Sequence, residues 1–132
     1  MKDNDKKRLV MDLDGTLCHP KPIGGTYADC APRLDVIQRL REFQRAGYYI
    51  IISTSRQVRT YGGRVGLLNV ETLPGVLDWL QRHDVPYDEV EVAKPWCGFE
   101  GFYVDDRAIR PSEFLRNNED ELLDLIRHET EG

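Results

Sequence analysis

The chain has 132 residues, 40% of them hydrophobic, so we expect one compact domain over residues 1–132, with no second catalytic domain and no large cap. Its formal net charge of -5 argues against nonspecific nucleic-acid binding, which needs a positively charged face. The longest apolar run, residues 49–52, is far shorter than the roughly 20 residues that span a bilayer, so no membrane association is expected.

The charged stretch Met1–Arg8 lacks the apolar run of a signal peptide, so a cytoplasmic location is the expectation. The cysteines, Cys18, Cys30 and Cys97, are odd in number and lack CxxC spacing, which predicts reduced thiols rather than a disulfide framework. Cys18, His19 and Cys30 could in principle hold a metal, but three ligands on a flexible loop fall short of a structural zinc set.

Strand-like and helix-like segments alternate along the chain, which predicts an α/β domain with a parallel sheet. Arg8–Leu13 is predicted as the first strand, and the prolines and glycines of residues 15–30 predict a loop or a small flap. Asp29 is predicted to cap a helix that Gly47 ends. The apolar face of this helix consists of Leu34, Ile37, Leu40 and Phe43.

The apolar run Tyr48–Thr54 predicts a central strand that is covered on both faces. Gln57–Leu68 has a helical pattern but carries three glycines, whereas residues 73–83 have the regular periodicity of a helix. The remaining predicted elements are two strands, Glu89–Ala93 and Gly101–Val104, and a closing helix, Asn118–His128.

Two carboxylates, Asp12 and Asp14, stand where the first strand ends, at the sheet edge where open α/β folds bind ligands. Residues two apart on a strand face the same side, and Gly15 lets the chain turn there. Neighbouring carboxylates repel each other without a cation, so the pair predicts a divalent metal. A solvated turn is the alternative. A calcium-binding EF-hand loop is excluded, because Val10 and Lys21 would occupy its first and twelfth positions.

Polar side chains also follow the later predicted strands, and each type is useful in phosphoryl transfer. They are Ser53, Thr54, Ser55 and Arg56 after the second strand, Lys94 after the third, and Asp105 and Asp106 after the fourth. Alone, each has an ordinary structural explanation: a cap, a solvated lysine or a turn. Together they predict one site.

The segments DLDGTL, IISTSR, the lysine of AKPW, and FYVDDR resemble, in order, the four motifs of the haloacid dehalogenase superfamily, over about Leu9–Phe114. This resemblance implies a three-layer Rossmann-like domain with a central parallel sheet and helices on both faces. Residues 87–88, 94–96 and 102–114 look like a capless branch associated with capsule and other polysaccharide biosynthesis. The implied activity is magnesium-dependent hydrolysis of a phosphomonoester, on a sugar phosphate or a nucleotide-linked sugar phosphate.

The resemblance also implies the role of each residue. Asp12 would be the nucleophile that forms an aspartyl-phosphate, and Asp14 the general acid and then base. Thr54 would donate a hydrogen bond to the phosphoryl group, and Lys94 would neutralise its charge. The implied ligands of Mg²⁺ are Asp12, the backbone carbonyl of Asp14, and Asp106 or Asp105.

Without a large cap, substrate specificity is expected from the flap Cys18–Tyr27, from Arg59 and from residues beside the motifs. The predicted substrate-binding residues are Gly15, Ser55, Arg56 and Trp96. Completion of the pocket by a second subunit of a homo-oligomer is a further hypothesis. The sequence leaves open whether Ser53, Thr54 or Ser55 contacts the phosphoryl group, and whether Asp105 or Asp106 contacts the metal.

Three alternatives compete with this reading. A receiver-like signalling domain would accept a phosphoryl group without turnover, but receivers carry the acceptor aspartate on the third strand, where this chain has Lys94. A catalytically silent scaffold would be expected to lack Asp12 or Asp14. A nucleotide phosphatase, a polynucleotide phosphatase or a phosphomutase would use the same residues, and the low positive charge disfavours the polynucleotide.

Overall fold

The computed structural model describes residues 6–131, which form two compact units. The first unit ends at Trp96 and the second begins at Cys97. The predicted α/β class is confirmed, whereas a single domain over residues 1–132 stays a prediction. Within residues 6–131, every helix is too short or too polar to cross a membrane.

The first unit contains a sheet of three parallel strands, β1 Arg8–Met11, β2 Tyr49–Ser53 and β3 Glu89–Glu91, with β2 in the centre. Met11 pairs with Ile52, and Ser53 pairs with Glu91. The parallel sheet and the central position of β2 are therefore as predicted. Because β1 ends at Met11 rather than Leu13, Asp12 is the first residue after the strand.

Helix α1, Leu34–Arg45, follows the apolar pattern of its sequence. Its buried residues are Val36, Ile37, Leu40 and Phe43, whereas Leu34 is 65% exposed. The prediction that Asp29 caps this helix is wrong. Asp29 ends a separate 3₁₀ turn, Tyr27–Asp29, and its carboxylate accepts a hydrogen bond from the backbone N–H of Thr26 at 3.0 Å. The carboxylate of Asp29 forms its hydrogen bonds within its own turn, so it does not cap α1.

The chain after β2 turns repeatedly before it becomes helical. Gly62 and Gly63 adopt positive φ angles of 60° and 71°, which interrupt the helical pattern predicted over Gln57–Leu68. Helix α2, a π-helical stretch and helix α3 then follow each other directly, as Val65–Leu67, Leu68–Thr72 and Leu73–Arg82. Helix α3 is confirmed as predicted and ends at Arg82, with His83 as its C-cap.

The second unit carries two helices, α4 Pro111–Arg116 and α5 Glu119–Glu131. Helix α5 confirms the predicted closing helix, and Asn118 caps it through two reciprocal hydrogen bonds of 2.9 Å with Glu121. The predicted fourth strand, Gly101–Val104, is wrong: residues 97–110 form no strand. Phe102 and Val104 are 79% and 89% exposed, so this apolar run is not covered as a sheet strand would be.

Gly47 ends α1 as predicted. Its φ is +97°, its N–H donates to the carbonyl of Gln44 at 2.9 Å, and the N–H of Tyr48 donates to the carbonyl of Phe43 at 3.1 Å. This is the Schellman arrangement, which reverses the chain into β2. A side chain at residue 47 would have open space around it, so only the backbone conformation requires glycine.

We expect Gly47→Ala to lower the free energy of unfolding by about 1–2 kcal/mol, the cost of a left-handed conformation for a residue with a Cβ. Gly75→Ala, within α3, is the matched control, because a Cβ there also meets open space and φ is not positive. It should instead raise the stability by about 0.4–1 kcal/mol. Urea denaturation measures both, and equal effects of the two substitutions would contradict this explanation of Gly47.

Candidate active site

The turn after β1 is built around the carbonyl of Leu13. This carbonyl accepts a hydrogen bond from the N–H of Leu17 at 2.9 Å, and both leucine side chains are fully buried. Gly15, at φ +86°, donates its N–H to the carbonyl of Cys18 at 2.8 Å. The predicted turn at Gly15 is therefore present, and it holds Asp12 and Asp14 on either side of the buried Leu13.

Asp12 lies beside a lysine and a threonine. One carboxylate oxygen is 3.5 Å from Nζ of Lys94, and the other accepts a hydrogen bond from the hydroxyl of Thr16 at 3.0 Å. The N–H of Lys94 donates to the carbonyl of Thr54 at 3.1 Å. The structure thus brings Asp12 and Lys94 together, with Thr54 joined to Lys94 through the backbone. Sequence reasoning missed Thr16, whose place in the DLDGT turn would have revealed it.

Asp14 is held by Arg56 through two hydrogen bonds, from Nε at 3.0 Å and from Nη2 at 2.8 Å. The side chain of Arg56 is 3% exposed, and that of Asp14 is 32% exposed. Burial alone would lower the pKa of Arg56, but the hydrogen bonds and charge of Asp14 outweigh it and raise this pKa overall. The guanidinium also lies 4.4 Å from the centre of the Tyr27 ring. Arg56 is therefore a buried cation that is held in a fixed position next to Asp14.

The three hydroxyl residues at the end of β2, Ser53, Thr54 and Ser55, have different surroundings. Thr54 is 1% exposed, and its hydroxyl oxygen accepts a hydrogen bond from the N–H of Arg56 at 3.1 Å. Ser53 donates to Glu91 at 3.4 Å, and Ser55 is half-buried. Among these hydroxyls, that of Thr54 bonds directly to Arg56, the residue that holds Asp14. Which hydroxyl contacts a phosphoryl group stays a prediction.

Two cysteines adjoin Asp14. The thiol of Cys18 donates to an oxygen of Asp14 at 3.4 Å, and the ligand atoms of Asp14, Cys18 and Cys30 all lie within 4.8 Å of one another. Burial is the main cause that raises the pKa of both thiols, and the charge of Asp14 adds to it. All the cysteines, Cys97 included, are free.

The other predicted site residues are more dispersed. Gly15 accepts a hydrogen bond through its carbonyl from Arg33 at 3.4 Å, and Trp96 is 37% exposed with the guanidinium of Arg59 at 6.0 Å from its ring centre. Asp105 accepts a hydrogen bond from the N–H of Arg107 at 2.7 Å, within the second unit, where Asp106 is exposed. The metal-binding roles of Asp105 and Asp106 stay predictions.

Comparison with solved structures found a near relative and more distant likenesses. A structural-genomics target from Vibrio cholerae, whose crystal structure is known, is 52% identical with a TM-score of 0.89, over 93% of this chain and 98% of that chain. The Pnkp1/Rnl/Hen1 RNA repair complex matches at 18% identity and TM-score 0.48, over 70% of this chain and 27% of the matched chain.

D,D-heptose 1,7-bisphosphate phosphatase from B. bronchiseptica, in a crystal structure with magnesium and phosphate, matches at 15% identity and TM-score 0.46, over 73% of this chain and 54% of that chain. No family model and no curated protein match the sequence. The likenesses to the repair complex and to the heptose phosphatase are partial, whereas that to the Vibrio cholerae protein extends over nearly the whole of both chains. The chain therefore belongs to the same family as the Vibrio cholerae protein.

Proposed function

We propose that this protein is a magnesium-dependent phosphatase that hydrolyses a phosphomonoester through an aspartyl-phosphate on Asp12. One observation carries the proposal: two carboxylates of the same turn have different cationic partners. Asp12 lies 3.5 Å from the ammonium of Lys94, whereas Asp14 is bound by the fork of Arg56. Such an environment suits two carboxylates with different tasks in one reaction.

The first task is nucleophilic attack. An oxygen of Asp12 forms a bond to phosphorus, and the bond from phosphorus to the oxygen of the leaving alcohol breaks. Thr16 fixes the orientation of the carboxylate through its hydrogen bond of 3.0 Å. The ammonium of Lys94 offers positive charge to the phosphoryl oxygens, and the hydroxyl of Thr54 can donate while its oxygen accepts from Arg56.

The second task is proton transfer. Asp14 gives a proton to the leaving oxygen, and then takes a proton from the water that attacks phosphorus. The bond from phosphorus to Asp12 breaks, so inorganic phosphate leaves, Asp12 is restored and Asp14 is protonated again. Arg56 acts as a positioning residue, because its two hydrogen bonds fix the direction of the Asp14 carboxylate.

Magnesium fits the donors of this turn, because Mg²⁺ prefers oxygen ligands and keeps several waters. The Asp12 carboxylate and the Asp14 carbonyl would hold it, and the carboxylate of Asp14 stays with Arg56. When bound, the ion offsets the negative charge that a phosphate dianion brings to Asp12.

We propose a phosphorylated small molecule as substrate, in the class of sugar phosphates or nucleotide-linked sugar phosphates of polysaccharide biosynthesis. A groove of about 570 Å³ beside the turn, lined in part by Gly15, His19 and the ion pair of Arg33 with Asp35, offers room and polar groups for the leaving group. The net charge of -5 disfavours a polynucleotide. A homo-oligomer and a cytoplasmic location stay predictions.

Asp12→Asn should reduce hydrolysis of p-nitrophenyl phosphate with Mg²⁺ to below about a few per cent of wild type, because the amide cannot form the covalent intermediate. Asp78→Asn, an exposed carboxylate on α3, is the control and should keep full activity. Phosphate release measures both, with circular dichroism to check folding. Wild-type protein should release many equivalents of phosphate. A single equivalent of p-nitrophenol, with the phosphoryl group retained on the protein, would instead indicate a receiver-like phosphate acceptor, and substantial activity of Asp12→Asn would refute this nucleophile.

Asp14→Asn should separate the two half-reactions. With p-nitrophenyl phosphate, whose leaving group needs no proton, we expect a burst of about one equivalent of p-nitrophenol and then turnover slowed by roughly 10²–10⁴-fold. With an alkyl phosphate the burst itself should disappear. Stopped-flow absorbance measures the first reaction, and release of the alcohol measures the second. Equal loss on both substrates, without a burst, would contradict the proton-shuttle role.

Arg56→Lys should lower kcat by roughly 10- to 100-fold, because a lysine cannot hold both oxygens of Asp14 and the carboxylate loses its orientation. In an Asp14→Asn background the same substitution should lower kcat almost no further. Arg59→Lys is the matched control and should act equally in both backgrounds. If the effects of Arg56→Lys and Asp14→Asn simply multiply, Arg56 does not work through Asp14.

A further inference from the structure

A second group of potential metal ligands lies on the inner side of the turn after β1. Asp14, Cys18 and Cys30 present one carboxylate and two thiols whose ligand atoms are mutually within 4.8 Å. Both cysteines are buried, at 0% and 2% exposure. The phosphatase mechanism above uses neither thiol, so their position against Asp14 is unexplained by it.

The backbone holds these ligands in place. Cys18 forms a β-bridge with Pro32, and the N–H of His19 donates to the carbonyl of Ala31 at 2.8 Å. The indole N–H of Trp79, which is fully buried, donates to the carbonyl of Cys30 at 2.9 Å. The two cysteines are thus tied to each other and to α3, and a metal would not have to order a flexible loop.

The separation between Cys18 and Asp14 suits a small tetrahedral dication. Zn²⁺ bonds of about 2.3 Å to sulfur and about 2.0–2.2 Å to oxygen separate a sulfur and an oxygen ligand by about 3.5 Å. The sulfur of Cys18 lies 3.4 Å from an oxygen of Asp14, which is close to that separation, and all three ligand atoms lie within 4.8 Å of one another. Two sulfur ligands favour Zn²⁺ and related thiophilic ions over Mg²⁺, which takes oxygen ligands. Cys18 also lines the groove beside Gly15.

The charges balance with the metal bound. Two thiolates and one carboxylate carry three negative charges, which a dication and the guanidinium of Arg56 offset. When no metal is bound and Asp14 is in its ionised form, the two protonated thiols leave Asp14 and Arg56 as a neutral pair. Metal binding therefore exchanges two thiol protons for one dication and leaves no net charge in this buried group.

We propose that Asp14, Cys18 and Cys30 form a site for a thiophilic dication of the Zn²⁺ class, and that its occupation inhibits the protein. The inhibition rests on the proposed function, since a metal on the Asp14 carboxylate blocks its proton transfer. The sequence alone offered His19 as the third ligand, whereas the structure places Asp14 there. A fourth tetrahedral position remains for water.

Cobalt(II) tests the site without reference to activity, because thiolate ligands give it a charge-transfer absorption. Titration of the purified, reduced protein should give this absorption with one Co²⁺ per chain, and Zn²⁺ should displace it. Cys30→Ser and Cys18→Ser should each weaken binding by at least about tenfold. Cys97→Ser is the matched control and should bind as wild type does. Absorption that survives Cys18→Ser and Cys30→Ser, but not Cys97→Ser, would overturn the proposal.

X-ray absorption at the zinc edge of the wild-type protein does not depend on whether variants fold. It should count two sulfur ligands, with oxygen or nitrogen completing the shell. A shell without sulfur would place the zinc elsewhere and overturn the site.

Inhibition is measured separately, as hydrolysis with Mg²⁺ and increasing Zn²⁺. Cys97→Ser should be inhibited as wild type is, whereas Cys30→Ser should need at least about tenfold more Zn²⁺. Equal inhibition of both variants would refute inhibition through this site. An intact phosphatase without the cobalt absorption would remove the metal site and leave the proposed function. The cobalt absorption in a protein without phosphatase activity would remove the proposed function and leave the metal site.

Discussion

The bidentate ion pair between Arg56 and Asp14 is the interaction on which the site depends. It joins the turn after β1 to the turn after β2, residues 42 positions apart in the chain. Those turns meet because β1 and β2 are parallel neighbours, with Met11 opposite Ile52, so their carboxyl ends lie at one edge. The guanidinium is nearly inaccessible to water, and removal of one partner from such a buried pair typically costs about 3–5 kcal/mol.

This pair also makes the two carboxylates of the turn unlike each other. Both oxygens of Asp14 are engaged by one rigid cation, so its carboxylate is fixed in direction. Asp12 has a hydroxyl on one oxygen and a flexible ammonium near the other, with 36% of its side chain exposed. The exposures of the two side chains, 36% and 32%, are nearly equal, so the difference lies in the groups that hold each carboxylate rather than in access to solvent. The difference between the two carboxylates thus comes from Arg56, which follows β2, and not from the acidic turn itself.

Strand-end reasoning from the sequence could predict which residues lie near one another at the edge of the sheet, because parallel strands bring their carboxyl ends together whatever the details of packing. It correctly placed Lys94 near Asp12. It could not identify Asp14 as the partner of Arg56, since side-chain pairing depends on the exact turns after each strand. The sequence analysis predicted Arg56 as a substrate-binding residue instead. The predicted strand Gly101–Val104 was wrong for a related reason: an apolar run shows β propensity but does not specify a neighbour to pair with.

Asp14 also determines how Mg²⁺ and a thiophilic dication would differ in their effect on the proposed hydrolysis. In the proposed mechanism, a hard ion such as Mg²⁺ would need only the backbone carbonyl of this residue, so the carboxylate would stay with Arg56 and remain free for the proposed proton transfer. Under the proposed inhibition, a thiophilic ion would bind where Cys18 and Cys30 lie and would take the carboxylate oxygen that accepts a hydrogen bond from Cys18. The same oxygen also accepts a hydrogen bond from Arg56. The two proposed ions would therefore use different atoms of one aspartate, the backbone carbonyl for Mg²⁺ and the carboxylate for the thiophilic ion, and only the second ion would oppose the proposed proton transfer.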